Sequence, residues 1–478
     1  MLVGQKFHES AVGDKKEDLY MKTYKHLFER MVETESITEC FFSAAKRKTM
    51  RNDVAKVLKP ERDAGNTSEE PDCLQEHVQY LQHLLITETW KPSKHRPIKI
   101  NEHSCGKVRE IIKPDYKYEQ VVHHCIVKQL QPIVLHGLYE HALGSIPKRG
   151  THSGKKQMEK WLRRYKGKKL YVMKGDIRHC FQTEDIAIIE QKLAKIIKDE
   201  KFLRLCYLVM ESEAEWTTQD YLPEGEILDF ESMDEEALCG LPLGFFTSQW
   251  LMQLNFKEFD HKMKEEWGAD EYMRYADDIV SLGTNKRKLH RLVDKIEEYL
   301  VNEMHQTLKG NWQVFRFEYE VKTKKGAAKL QEEKSDGKKK KPKTRGRAID
   351  FMGFVFHYNR TTMRKCILER SRRKAHRLAK KDKIIWYDAS AMLSYMGWYD
   401  DTDTYNYFQE YIKPCVDVRK LKRIVSKHSR KEQKRHDELV QSAGNGSPCG
   451  NRQDIQPDNS VRAEGHSAGD CEGNGRRE

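Results

Sequence analysis

The sequence predicts an α+β fold. Apolar residues recur at helical spacing through the first ninety residues and again near the C-terminus. Between these regions lie short apolar runs of strand length, and two of the runs meet aspartates. With 478 residues the chain has an ample core. Lys and Arg (87) outnumber Asp and Glu (74), a net charge of +13 with 34% of residues charged, which points to a polyanionic partner. No stretch approaches the roughly 18 uninterrupted apolar residues of a bilayer helix, and the first twenty residues are polar and mixed in charge, so a soluble, unexported, cytoplasmic protein with no membrane partner is expected. The cysteines are scattered singly without CxxC or zinc spacing, as expected of reduced thiols.

In chain order, Leu19, Tyr24, Leu27, Phe28 and Met31, then Leu74, Val78, Leu81, Leu84 and Leu85, predict helices separated by a polar, turn-rich loop at 60–71. Residues 97–114 alternate around Gly106 and suit a β-hairpin. Residues 119–137 return to helical spacing, and 169–175 (KLYVMKG) make a strand stopped by Asp176. The stretch 211–236 lacks Lys and Arg and reads as a solvated acidic excursion. Residues 322–347, with four consecutive lysines at 338–341, read as a solvated basic loop. A strand-like FMGFVF precedes a basic helix over 364–382 and a helix at 389–396, with Asp388 as N-cap and Gly397 as stop. Beyond about 440 the Gly, Asn, Ser and Asp content predicts a disordered tail.

Three blocks carry the chemistry. Tyr272 to Leu282 (YMRYADDIVSL) places Asp277 and Asp278 between apolar strands, and both acids can face one site only at a turn. Two like charges held close call for a hard cation bound through oxygen, although a surface turn with two solvated aspartates fits the block equally well. Asp176, also at a strand end, supplies a third carboxylate. Three suffice to hold two divalent ions about 3.5–4 Å apart for in-line phosphoryl transfer. The third block, GLPLGFFTSQW from Gly240, puts a turn containing Leu243 and Gly244 before a helix, where backbone N–H groups can meet a phosphate or a base. A plain strand–turn–helix connection is the alternative.

The order strand-Asp176-x₄-Phe181, GLPLGFFTSQ, YADD resembles palm motifs A, B and C of the prokaryotic reverse transcriptases. The resemblance extends over about 84–426 and includes KVREIIKP at 107–114, VVHHCIVKQLQPI at 121–133, GSIPKRGTHSG at 144–154, LKGNWQVF at 308–315 and IDFMGF at 349–354. It implies a right-hand polymerase with four parts: a helical N-terminal region (1–95), fingers and palm with a small antiparallel sheet (96–360), a helical thumb (361–440) and a disordered tail (441–478). The segments 211–236 and 322–347 are then insertions. Asp176, Asp277 and Asp278 would hold two Mg²⁺ ions, with Mn²⁺ as a substitute. Phe181 would be the steric gate against a 2′-hydroxyl, or a core aromatic, or both. Lys107 and Arg109 would cradle the triphosphate, Lys148 and Arg149 would lie on a turn near template or nucleotide, and Lys309 would protonate the leaving pyrophosphate.

Leu243 stands where many viral and group II intron enzymes have a nucleotide-contacting Gln. That departure is similar to diversity-generating retroelement enzymes and to unassigned bacterial or phage reverse transcriptases, some of them antiphage-defence proteins. The basic 364–382 helix, with Tyr395, Trp398 and Tyr399 nearby, suits the backbone of an RNA–DNA hybrid. The expected activity is RNA-directed DNA synthesis from dNTPs, with a dedicated structured RNA and an accessory protein as partners. The alternative is a maturase-like RNA-binding protein that keeps the palm as a scaffold.

Overall fold

The computed structural model describes residues 23–63, 65–102, 107–218, 236–321 and 344–444. The expected tail beyond 444 and the middles of the two expected insertions lie outside the described residues. Helices α1 (Leu27–Met31), α2 (Thr34–Ala45), α3 (Asn52–Val57) and α4 (Leu74–Ile86) precede the β1 (Ile98–Glu102) and β2 (Lys107–Ile111) hairpin. Then come α5 (Val121–Leu135), β3 (Ala142–Leu143), α6 (Thr151–Arg164), β4 (Tyr171–Asp176), α7 (Ile186–Ile196) and α8 (Glu200–Glu211). In α4, Leu74, Val78, Leu81 and Leu85 form the buried stripe that their spacing predicts. This stripe joins one large core reaching from Leu27 to Leu308, so the N-terminal helices share a core with the centre of the molecule. Asp199 ties the two regions: its carboxylate caps α8 by accepting from Phe202 N (3.1 Å) and also accepts from Phe28 N (2.8 Å).

The central sheet adds β7 (Glu271–Tyr275), β8 (Asp278–Gly283) and β9 (Gln313–Arg316), in the order β3-β7-β8-β4-β9. The expected antiparallel sheet is present in β7, β8, β4 and β9, and β3 adds to it by pairing with β7 in parallel. Its two residues arrive from α5 along the edge of β7, without a hairpin to reverse them. The sheet is buried on both faces. Tyr272, Met173 and Ile279 join the helical core, whereas Val172, Met273, Val280 and Leu282 pack against a second core built from α6 and the phenylalanines Phe351, Phe354 and Phe356.

Both expected insertions leave the fold through two-stranded ladders. β5 (Glu215–Thr218) pairs with β6 (Glu236–Cys239) around the acidic segment, and β10 (Tyr319–Glu320) pairs with β11 (Thr344–Arg345) around the lysine-rich one. The 344–347 end of the latter therefore contains strand and bridge rather than loop alone, and it stays exposed to solvent. Arg347 N donates to Arg316 O (3.0 Å), and the Arg347 guanidinium lies 4.9 Å from the Phe315 ring.

β12 (Ile349–Phe351), β13 (Phe354–Phe356) and β14 (Thr361–Met363) form a meander that leads to a third, helical core. The basic helix spans Lys365–Ala379. Two expectations fail beyond it. Asp388 does not cap a helix; it sits buried inside the Trp386–Leu393 helix, paired with Lys374 (3.2 Å) on the basic helix and Lys381 (2.6 Å) just beyond its end, and this charge pairing outweighs a local cap. Gly397 does not stop one either, since it lies within Met396–Asp400. His152 on α6 holds Asp401 (2.6 Å) and so anchors this unit. The last helix, Val418–Gly444, runs past the expected boundary at 440 and returns to the N-terminal region. His436 meets the Phe42 ring edge-on at 5.7 Å, Arg435 lies 3.5 Å from Met50 Sδ, and Leu439 packs on the first core. No helix among the described residues is long and apolar enough to cross a membrane.

Two predictions follow from the packing. Glu184 is fully buried, accepts from Asn255 Nδ2 (2.5 Å), and burial pushes its carboxyl up to about 7. Its folded pKa exceeds the unfolded one, so the fold favours the neutral acid and loses stability as pH rises from about 4.5 to about 7. Glu184→Gln should therefore raise stability on the order of 2–3 kcal/mol at pH 8 and be near neutral at pH 5, read by denaturant titration at both pH values. Gly244 has φ +115°, and a Cβ there would lie 2.0 Å from Ile112 O. Gly244→Ala should cost at least about 1–3 kcal/mol, visible as a lower thermal midpoint.

Candidate active site

Antiparallel pairing of β4 with β8 sets Asp176 directly across from Asp278. β7 and β8 close on the Tyr275–Asp278 pair, leaving Ala276 and Asp277 as a two-residue turn. Ala276 takes a left-handed φ of 52°, a conformation that hairpin turns of this length require and that non-glycine residues adopt at a cost. The turn carries Asp277 to the same sheet end, where Ile177 N donates to Asp277 O (3.2 Å). The three carboxylates thus gather half-buried at one edge. Burial, followed by repulsion from Asp176 and Asp278, pushes the Asp277 carboxyl up to about 6. Burial also raises Asp278, opposed chiefly by Lys174.

Cations from separate elements surround the acids. Lys309 N donates to Asp176 O (2.8 Å), and its ammonium pairs with Asp176 Oδ2. Lys174, on β4, reaches Asp350 O (2.8 Å), while Arg364 pairs with the Asp350 carboxylate (2.5 Å) and adds to the positive field at Asp278. Asp176 Oδ1 is buried with no hydrogen-bond partner. An orphaned oxygen beside two carboxylates destabilised by each other's charge is a donor set that fits a hard divalent cation. No group of three or more His, Cys, Asp or Glu among the described residues is arranged around a single metal position.

The other expected residues divide. Phe181 packs partly against the first core, and its carbonyl accepts from Leu241 N (2.6 Å), which joins the segment after β4 to the Gly240–Gly244 turn. Leu243 is half-buried, and its carbonyl accepts from Ile112 N (2.7 Å), so the turn is stitched to the foot of the β1–β2 hairpin. Phe245 occupies the N-cap position of α9 (Phe246–Asn255) with no side-chain capping bond. Arg109 is exposed on β2 opposite Ile100. The Lys107 side chain lies outside the described residues. Lys148 is exposed, whereas Arg149 donates to Tyr139 O (2.8 Å) and holds the loop together.

Sequence reasoning missed a second layer beneath the turn: Arg274, Asp260 on α10 (Lys257–Glu265), and Gln253 on α9. Arg274 and Asp260 are fully buried and joined at 2.6 Å. The available signal was an arginine set among Tyr272, Met273 and Tyr275 just before the Asp pair.

A family profile described as "Reverse transcriptase (RNA-dependent DNA polymerase)" matches residues 93–344, just over half of the chain, and this span contains all three aspartates and Lys309. A search of curated proteins found no match. Among solved structures, apo telomerase from Candida tropicalis aligns with TM-score 0.41 and 10% identity, over 76% of this chain and 65% of that one. A form of it truncated from the C-terminal domain aligns with TM-score 0.37 and 13% identity, over 64% and 63%. Telomerase from Candida albicans, in complex with a fragment of telomeric RNA, gives 0.36 and 10%, over 72% and 59%. The chain spans about three-fifths of the length of these structures, and at such scores the likeness carries no weight in the assignment. The profile match does carry it: the chain is a member of the reverse transcriptase (RNA-dependent DNA polymerase) family.

Proposed function

We propose that this protein is an RNA-directed DNA polymerase that extends a primer with dNTPs on an RNA template. The observation that carries this reading is the register-locked gathering of Asp176, Asp277 and Asp278 at one sheet edge, within the span matched to the family. The three carboxylates would hold two Mg²⁺ ions, with Mn²⁺ as a substitute. Such ions, when bound, activate the attacking hydroxyl and neutralise charge on the triphosphate. The chain's own residues supply position and charge. Arg109 and Lys107 on the fingers hairpin meet the triphosphate, and the Leu243–Gly244 turn lies beside the base. Phe181 excludes the ribose 2′-hydroxyl, and Lys309, already on Asp176, gives a proton to the departing pyrophosphate. The hybrid rests on the basic Lys365–Ala379 helix of a thumb spanning about 361–440. The leucine at 243 in place of glutamine supports a bacterial or phage retroelement or antiphage-defence type, working with a dedicated structured RNA and an accessory protein.

Incorporation of labelled dTTP on oligo(dT)-primed poly(rA) tests the activity. The wild type should extend, and joint Asp277→Ala and Asp278→Ala replacement should reduce extension at least about 10²–10³-fold. RNA binding by a wild type that never incorporates nucleotide would instead favour the maturase-like scaffold. Lys309→Met should lower the single-turnover rate about 10²-fold with little change in dNTP affinity, and the deficit should depend on pH if the lysine is the proton donor.

A further inference from the structure

We infer that Arg274 is a positioning residue that sets the geometry of the Asp277 turn for metal binding, and that Asp260 and Gln253 hold it there. This rests on the proposed assignment of the three aspartates as the metal site. The guanidinium spends its donors in three directions. Nε and Nη2 bind the two oxygens of Asp260 (2.8 and 2.6 Å), Nη2 also donates to Gln253 Oε1 (2.9 Å), and Nη1 donates to Ala276 O (3.0 Å). Asp260 is fixed in turn by the Tyr272 hydroxyl (2.7 Å), and Gln253 Nε2 donates to Gly144 O (3.0 Å).

The Ala276 carbonyl is the decisive contact. Ala276 stands between the strand and Asp277 in a left-handed conformation, and both of its peptide groups are pinned. Its N–H donates to Leu143 O (3.0 Å) and its carbonyl accepts from Arg274. Gly144 allows this approach, since a Cβ there would lie 3.2 Å from Ala276 N. An arginine so close to three acids would ordinarily pair with one of them and compete with a cation. Asp260 removes that competition by taking the guanidinium's charge on the far side of the sheet, so that only a directional hydrogen bond reaches the turn. Fold stability alone does not call for the arrangement, because a buried ion pair contributes little over an apolar pair of similar volume. Lysine, with a single nitrogen, cannot span Asp260, Gln253 and Ala276 together.

The test is Mn²⁺ binding, followed by electron paramagnetic resonance on the full chain, alongside thermal melting. Arg274→Lys should melt as a folded protein and bind Mn²⁺ about 10–100-fold more weakly, the range for groups that orient metal ligands. Gln253→Met, a milder change, should weaken binding several-fold. Met210→Ala, a core truncation on α8, should lower the melting temperature and leave Mn²⁺ affinity unchanged. Wild-type affinity in folded Arg274→Lys and in Gln253→Met overturns the inference, as does an equal loss in Met210→Ala. Should Arg274→Lys fail to fold, Gln253→Met decides alone. Asp277→Ala is the separate arm. If it binds Mn²⁺ as well as the wild type does, the metal-site reading falls and takes this inference with it; if it alone loses binding, only this inference falls.

Discussion

The pairing of β4 with β8 is the constraint on which the rest depends. Asp176 and Asp278 share a site only because six residue pairs hold the two strands in one register, with Tyr171 across from Gly283 at the other end. A slip of one residue would turn every side chain to the opposite face. Here both faces are packed, so a slip would drive Val172 and Val280 into space shaped for Met173 and Ile279. On β7 the same error would swing Arg274 away from Asp260 into a core of phenylalanines. The register is thus enforced by shape on two sides and by one buried charge.

Electrostatics divides the cations near the sheet edge into two kinds. Lys309, Lys174 and Arg364 come from separate segments and lean toward the acids, where their field opposes the cost of burying negative charge. Arg274 lies three residues before Asp277, yet its charge is taken up by Asp260. One set acts on the acids through its field, and the other reaches the turn through a single hydrogen bond to Ala276 O.

Much of this was legible in the sequence. The 97–114 hairpin, the 121–133 helix, the basic helix after 364 and the three aspartates were all readable from spacing and motif order. The convergence of the aspartates was not in any local period; it followed from the order of blocks shared with a family. Asp388 misled because an acid ahead of an apolar run resembles a cap, whereas its partners Lys374 and Lys381 are 14 and 7 residues away. Asp260 lies 14 residues from Arg274, on a helix, and no strand or helix period links the two. A sheet buried on both faces also yields near-continuous apolar runs, which hides which side of β7 the arginine occupies.

The last helix has a mechanical consequence. Its 27 residues make a rod of about 40 Å, seated at one end in the third core and at the other against Phe42, Met50 and the N-terminal core. The helical unit after β14 is also moored to α6 through His152 and Asp401. A body held by contacts on two sides does not move independently of both. Displacement of the helical unit after β14 relative to the central sheet must either carry the N-terminal helices with it or unseat His436 and Leu439, so residues far from the aspartates take part in fixing where that unit sits.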